Sequence, residues 1–186
     1  MAIETYPPFP WETQRLILRP FEERDLGIFS AYRSDPEVAR YQSWDAPFDM
    51  SRARAFYSWL QSVRPGMAGE WYQFAVELKA TRQLIGDYVL GFAKEGSQAE
   101  FGVTFSRAAQ GKGYATEGAR CLFTHAFNSL GLHRIFARLD ARNTRSALLM
   151  ERLGMRREGY MVKSEWHKGE WTDVIYYAVL REEWQA

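Results

Sequence analysis

The spacing of the hydrophobic residues changes within residues 101–130, which read FGVTFSRAAQGKGYATEGARCLFTHAFNSL. Phe101, Val103 and Phe105 recur at every second position, a period that predicts a strand. From 113 to 130 the apolar residues recur at helical spacing instead, which predicts an amphipathic helix. The stretch therefore predicts a strand and a helix joined by a glycine-rich turn. This unit limits the folds that the chain can adopt.

The turn itself has the sequence Gln110-Gly111-Lys112-Gly113-Tyr114-Ala115. Small residues let a backbone approach a ligand closely, and the start of a helix offers N–H groups to an anion, for which a diphosphate is the natural choice. The alternative is an ordinary glycine-rich turn. Two better-known phosphate loops do not fit. A P-loop needs Ser or Thr where Gly113 follows Lys112, and a Rossmann fingerprint needs a small residue where Thr116 stands.

Strands and helices alternate along the rest of the chain. Three consecutive strands joined by short polar turns predict an antiparallel meander. Residues 1–14 contain three prolines and are expected to form an N-terminal arm. Asn143 is expected to cap a short helix that Gly154 ends. The fold class is mixed α/β, one domain over 1–186, with strands at 16–18, 72–78, 84–92, 101–105, 134–140, 155–163 and 172–180 and helices at 22–32, 51–63, 113–130 and 143–153.

Composition excludes several classes of protein. The chain has 186 residues with 24 Lys and Arg against 23 Asp and Glu, so no excess of cations remains to coat a nucleic acid. No run of apolar residues is long enough to cross a membrane, and the N-terminus does not resemble a signal peptide. One cysteine, Cys121, and three scattered histidines do not suggest a disulfide or a metal site. A cytoplasmic protein without metal, nucleic-acid or membrane partners is expected.

Several motifs together resemble one known family. Residues 110–115 fit the Q/R-x-x-G-x-G/A signature of the GNAT superfamily of N-acetyltransferases. Segments spanning about 12–184 are similar, in the same order, to its RimJ/RimL-like branch, which acetylates the N-termini of ribosomal proteins. These segments are Glu12–Pro20, Asp25-Leu26, Tyr114–Glu117, Asn143–Ser146, Glu151–Met155, Glu158-Gly159, Trp171–Asp173 and Glu183-Trp184.

The resemblance implies a GNAT fold and an acetyl-CoA site. In that fold the mostly antiparallel central sheet, flanked by helices, splays apart between the strands at 101–105 and 134–140, and the pantetheine arm lies in the gap. The residues implied in binding the co-substrate are Val103 and Phe105 for pantetheine, Gln110, Gly111, Lys112, Gly113, Tyr114 and Ala115 for the diphosphate, and Asn143 and Ser146 on the facing side.

The resemblance also implies two catalytic residues. Many members carry a tyrosine as proton donor in the helix after the asparagine, but residues 148–151 read Leu-Leu-Met-Glu here. Ser146 is the implied donor to the departing thiolate, with a plain N-terminal helix residue as the alternative. Glu165 is the implied base and contacts the acceptor, with an exposed surface charge as the alternative.

The acceptor is expected to be a primary amine, and a protein N-terminal amine in particular. Tyr41 and Trp44 lie in an irregular segment from which the family lines its acceptor cleft, although either residue could instead complete the core. A small-molecule amine is an alternative, since Asp45, Asp49 and Glu165 could bind a cation. A non-catalytic acyl-CoA sensor is another. Cys121 is expected to be structural, transfer to be direct, and the protein to be a monomer or a homodimer.

Overall fold

The structure is a computed structural model that describes residues 9–185. Within that range a single sheet is flanked by helices, as the hydrophobic periods predict. Its strands are β1 (Trp11–Glu12), β2 (Leu16–Arg19), β3 (Trp71–Leu78), β4 (Gln83–Phe92), β5 (Gln98–Phe105), β6 (Arg134–Asp140), β7 (Arg156–His167) and β8 (Glu170–Leu180). Its helices are α1 (Leu26–Arg33), α2 (Pro36–Ala39), α3 (Met50–Leu60), α4 (Tyr114–Asn128) and α5 (Thr144–Arg152).

The sheet has the strand order β1-β2-β3-β4-β5-β6-β8-β7. Neighbouring strands are antiparallel except for β5 and β6, which run parallel. The predicted meander is therefore β3-β4-β5. The parallel pairing covers Gln98–Glu100 of β5 and Arg134–Phe136 of β6, after which the two strands diverge. The mixed α/β fold with a splayed sheet is confirmed.

Helices cover both faces of the sheet. Tyr88 and Asp87 are adjacent in β4, so their side chains point to opposite faces. Tyr88 lies against α4, where a Cβ at Gly118 would come within 2.5 Å of its hydroxyl. Asp87 lies on the other face and accepts a hydrogen bond from Tyr32 of α1. The core is continuous through the sheet, and Phe101 packs edge-on against Phe123 of α4 with ring centroids 4.9 Å apart.

Several local predictions differ from the structure, among them the end of β7, which extends to His167 rather than to residue 163. Residues 1–8 of the predicted arm lie outside the described residues, but Trp11 and Glu12 pair with Leu18 and Ile17 and extend the sheet by one short strand. Trp11 is buried in the core, and this burial explains why the segment pairs despite its prolines. The segment after α1 includes α2, a single turn of helix. Asp35 caps it through the N–H of Glu37, and Pro36 suits its first position.

Candidate active site

The gap between β5 and β6 exposes the backbone of β5. The carbonyls of Val103 and Phe105 point into it, since each accepts a hydrogen bond from a side-chain amide on that side: Gln42 to Val103 at 3.2 Å and Gln110 to Phe105 at 3.0 Å. In an extended strand the N–H and C=O of one residue point the same way, so the N–H groups of both residues face the gap too. An extended ligand can pair with this edge as a neighbouring strand would.

The glycine-rich turn lies at the end of this edge. Gly111 and Gly113 have φ values of +74° and +79°, in the left-handed region that residues with a Cβ rarely adopt. Gly113 caps α4, whose first N–H groups lack partners within the helix and carry the positive end of its dipole. The turn thus offers backbone N–H groups to which an anion could bind.

The facing wall is the start of α5. Asn143 is its N-cap and accepts a hydrogen bond from the N–H of Ser146 at 3.2 Å, so the predicted capping role is confirmed. Arg145 donates to the side-chain oxygen of Gln110 at 3.3 Å, which links this wall to the glycine-rich turn.

A cavity of about 1120 Å³ connects these parts. It is larger than most small-molecule pockets, which suits an extended ligand. Its charged lining is mainly cationic, with five arginines and one glutamate, and therefore favours an anion. The lining includes Val103, Phe105, Gln110, Gly111, Gly113, Tyr114, Ala115, Asn143, Ser146 and Tyr41 from the sequence predictions, together with Glu37, Arg40, Gln42, Arg107, Arg142, Arg145, Leu148 and Arg152.

Three predicted site residues lie outside this lining. Lys112 is within the turn, and its carbonyl accepts a hydrogen bond from Arg15 at 3.0 Å. Trp44 packs on the guanidinium of Arg33, 3.9 Å from the ring centroid, and its indole N–H donates to the Arg33 carbonyl. Glu165 is half-exposed on β7 and forms an ion pair with Arg138 at 2.8 Å.

A buried polar cluster supports the segment that carries Tyr41 and Trp44. Asp87 accepts hydrogen bonds from Tyr32 and Gln73, and Arg33 lies 3.6 Å from its carboxylate. Burial raises the pKa of Asp87, an effect that the Arg33 charge partly offsets. Burial likewise raises the pKa of Tyr32 well above its usual value. The cluster is fully enclosed, and we assign it a structural role beneath the segment.

The turn between β7 and β8 also contacts the segment that carries Tyr41 and Trp44. Lys168 donates hydrogen bonds to the carbonyls of Ala39 and Trp44, at 2.7 Å and 2.6 Å, and lies 3.4 Å from a carboxylate oxygen of Asp45. These contacts join residues more than 120 positions apart. No local sequence pattern marks Lys168, Gln42 or Arg33, because their contacts join residues that are distant in the chain.

Cys121 is half-buried on α4, outside the cavity lining. Burial raises the pKa of its thiol to about 11, so the thiolate needed for nucleophilic attack is scarce at neutral pH. His125, four residues later, stacks on Trp11 with ring centroids 4.2 Å apart, and burial lowers its pKa. These surroundings favour a structural role for Cys121.

Comparison with known proteins identifies the family. Residues 15–156 match the family described as acetyltransferase (GNAT) domain. The chain belongs to the GNAT acetyltransferases. It is 35% identical to the uncharacterized N-acetyltransferase YnaD of Bacillus subtilis over 92% of this chain and 97% of YnaD. A GNAT-family acetyltransferase structure from Bacillus anthracis superposes with a TM-score of 0.85 at 33% identity, covering 94% of this chain and all of the other. The spermidine N(1)-acetyltransferase of Escherichia coli is 24% identical over 91% of this chain and 88% of its own length.

This GNAT chain is an acetyl-CoA-dependent N-acetyltransferase, and acetyl-CoA is its co-substrate. The cavity fits that molecule, since it combines an open strand edge for an amide-containing arm with cationic side chains and helix N–H groups for phosphates. In the part of the chain that the structure describes, no group of His, Cys, Asp and Glu side chains is arranged to hold a metal ion. Nor is any helix between residues 9 and 185 long and apolar enough to cross a membrane.

Proposed function

We propose that this acetyltransferase acts on protein N-terminal amines, as the RimJ/RimL-like branch does. The motifs that resemble this branch support the proposal, and so does one observation about charge. The acidic side chains that could serve a multiply charged acceptor already have partners. A polyamine carries several positive charges at neutral pH and needs carboxylates that are free to pair with them.

Each candidate carboxylate is engaged in a different way. Asp45 contacts Lys168, and Glu165 is held by Arg138. Asp49 caps α3, and its hydrogen bonds with the Ser51 hydroxyl and the Arg52 N–H lower its pKa. Among the described lining residues the acidic one is Glu37, whose carboxylate lies 3.9 Å from Arg40. One weakly paired carboxylate suits one ammonium group better than a polycation.

We assign the two ends of the cavity as follows. The acetyl-CoA end comprises residues 103–105, the turn at 110–115 and the start of α5. There the backbone of Val103 and Phe105 would pair with pantetheine. Both carbonyls can do so although Gln42 and Gln110 already donate to them, because a carbonyl accepts two hydrogen bonds. The N–H groups at 111–115 would bind the diphosphate, with Asn143 on the facing side. The acceptor end comprises Tyr41 and the segment at 39–45.

Acetyl transfer to an N-terminal amine does not require a strong base from the protein. Acetyl-CoA supplies the acetyl group as a thioester. The neutral amine forms the amide bond to the acetyl carbon as the carbon–sulfur bond breaks, the amine nitrogen loses a proton, and the thiolate gains one. An α-amino group has a pKa of about 7.7–8.0, so about half of it is neutral near pH 8 without any base. Water is then a sufficient proton acceptor.

Ser146 lines the cavity, and we propose that its hydroxyl donates the proton to the thiolate and recovers one from water. Glu165 lies outside the lining and is ion-paired with Arg138, whose charge it shares with Glu100, so we do not assign it the role of base. The resemblance to the family instead implies Glu165 as the base, and substitution of Glu165 by glutamine distinguishes the two assignments.

A small-molecule amine is the second candidate, favoured by the similarity to a spermidine acetyltransferase. Release of CoA thiol should be measured with acetyl-CoA against N-terminal peptides, spermidine and aminoglycosides. The proposal predicts turnover with peptides that have a free N-terminus and little with polyamines. Turnover restricted to spermidine would overturn it. Binding of acetyl-CoA without turnover on any amine would instead favour a sensor.

A further inference from the structure

Two motifs that resemble the family meet behind the glycine-rich turn, although they lie about a hundred residues apart in sequence. The carboxylate of Glu117, in the first turn of α4, accepts hydrogen bonds from the Thr13 hydroxyl at 2.5 Å and from the Arg15 N–H at 2.8 Å. It also accepts one from the Nε of Arg15 at 2.6 Å. Burial opposes the charged form of Glu117, but these hydrogen bonds outweigh it and lower the pKa.

The Arg15 side chain also contacts the glycine-rich turn. Its Nη1 donates to the Lys112 carbonyl at 3.0 Å, and its guanidinium lies 4.5 Å from the centroid of the Tyr114 ring. Its Nη2 lies 3.4 Å from the point where a Cβ at Gly113 would stand. One side chain thus contacts Lys112 and Tyr114 and lies beside Gly113, which stands between them in a left-handed conformation.

These contacts fix the direction of the turn. A peptide unit whose carbonyl is held on one side presents its N–H on the other, so a hydrogen bond to the Lys112 carbonyl orients the N–H of Gly113. Glu117 balances the charge of the guanidinium, but the group stays protonated and keeps its hydrogen bond behind N–H groups that would face an anion. The planar group can do both because its fork is already fixed by the Glu117 carboxylate.

We propose that Arg15 is a positioning residue for the diphosphate of acetyl-CoA, holding Lys112–Tyr114 in the conformation that binds the anion. The inference rests on the proposed placement of the diphosphate at 110–115. It gives the opening motif of the chain a part in co-substrate binding, whereas Thr13 and Glu117 by themselves already attach the N-terminal segment to α4.

The test compares ligands that contain the diphosphate with one that lacks it. In Arg15→Ala, calorimetry should show CoA binding weakened about tenfold, since a charge-assisted hydrogen bond is removed from the turn. The kcat/KM for acetyl-CoA should fall by a similar factor, while that for S-acetylpantetheine should stay within about twofold. Arg54→Ala is the matched control, because it removes the same charge from exposed α3 on the opposite face of the sheet.

The outcomes separate this inference from the proposed function. If the wild-type protein binds CoA and Arg15→Ala binds it equally well, the inference is wrong and the function stands. If Arg15→Ala loses activity equally with acetyl-CoA and S-acetylpantetheine, Arg15 has a general structural role and the inference is again wrong. If the wild-type protein does not bind CoA, or Gly113→Val leaves its binding unchanged, the proposed placement of the diphosphate fails.

Discussion

The two ends of the cavity are built from different parts of the chain. The end that we assign to acetyl-CoA consists of backbone groups: the open edge of β5, the N–H groups of the glycine-rich turn and the start of α5. The end that we assign to the acceptor depends on side chains from distant elements. In the segment at 39–45, Trp44 packs on Arg33, and Lys168 donates hydrogen bonds to two backbone carbonyls.

This difference affects how each end tolerates substitution. A site made of backbone groups depends on local conformation, so a change there should act sharply through φ and ψ. A site assembled from several side chains shares its geometry among many contacts, so single changes should act gradually. We therefore expect large effects on acetyl-CoA and smaller effects on the acceptor.

The largest effect is expected at Gly113. Gly113→Val places a β-branched residue at φ +79° and should weaken CoA binding roughly 100-fold, because strain of order 1–3 kcal/mol is added to loss of close approach. Calorimetry with CoA measures this. Gly131→Val is the matched control, since Gly131 also has a positive φ, +69°, but lies outside the cavity lining. Unchanged CoA affinity in Gly113→Val would remove the turn from the site.

The next effect concerns the proton donor. Ser146→Ala keeps the backbone N–H that donates a hydrogen bond to Asn143, so α5 should stay capped while the hydroxyl is lost. We expect kcat to fall about 10- to 100-fold with little change in the KM for acetyl-CoA. Ser62→Ala, an exposed serine that donates to Trp59, serves as control in steady-state assays. If kcat is unchanged, Ser146 acts only as a helix residue.

At the acceptor end the contacts of Lys168 offer the clearest test. Lys168→Met removes its hydrogen bonds to the carbonyls of Ala39 and Trp44 and should raise the KM for the acceptor about fivefold. The KM for acetyl-CoA should not change. Lys94→Met, an exposed lysine elsewhere, controls for loss of charge. An equal rise in both KM values would show that the two ends are not independent.

A smaller effect is expected for Glu165→Gln. With an N-terminal acceptor the rate near pH 8 should fall by no more than about threefold, because this carboxylate lies outside the cavity lining in an ion pair with Arg138 and the amine deprotonates readily. The rate should be measured from pH 6.5 to 9.5. A loss of roughly 10²-fold near neutral pH, recovered at high pH, is what removal of a general base would give and would return that role to Glu165.

The smallest effect is on stability and depends on pH. The pKa of Glu117 is lowered from 4.5 in the folded protein, so its stabilising contribution is present above about pH 4.5 and is lost as pH falls through the lower folded value. Glu117→Gln should therefore lower the melting temperature by roughly 2–4 °C at pH 7 and by less at pH 3. Thermal unfolding at both pH values measures this. An equal difference at both would mean that charge is not involved.

Much of the fold and the acetyl-CoA end could be predicted from the sequence because both depend on short-range patterns. The alternation at 101–105, the helical spacing from 113 and the cap at Asn143 each specify a conformation within a few residues. The contact between Arg15 and Glu117 joins two segments that the sequence marks separately, but their meeting follows only from how α4 packs against β2.

The acceptor end could be predicted only in part, for the same physical reason. Tyr41 lines the cavity. Trp44 instead packs on Arg33, and Arg33 in turn lies beside the buried Asp87, which is 54 positions further along the chain. The sequence pattern predicts that Glu165 follows the strand at 155–163, but β7 extends to His167 and includes it. Its pairing with Arg138 depends on the register of three strands.

The choice of acceptor is tested most directly by competition in one reaction. A peptide with a free N-terminus and one internal lysine should be mixed with spermidine and limiting acetyl-CoA at pH 7.5, and the acetylated products located by tandem mass spectrometry. Our account predicts acetylation of the peptide α-amine, with the lysine and spermidine largely unmodified. Acetylation mainly of spermidine, or of the lysine with the α-amine untouched, would contradict it.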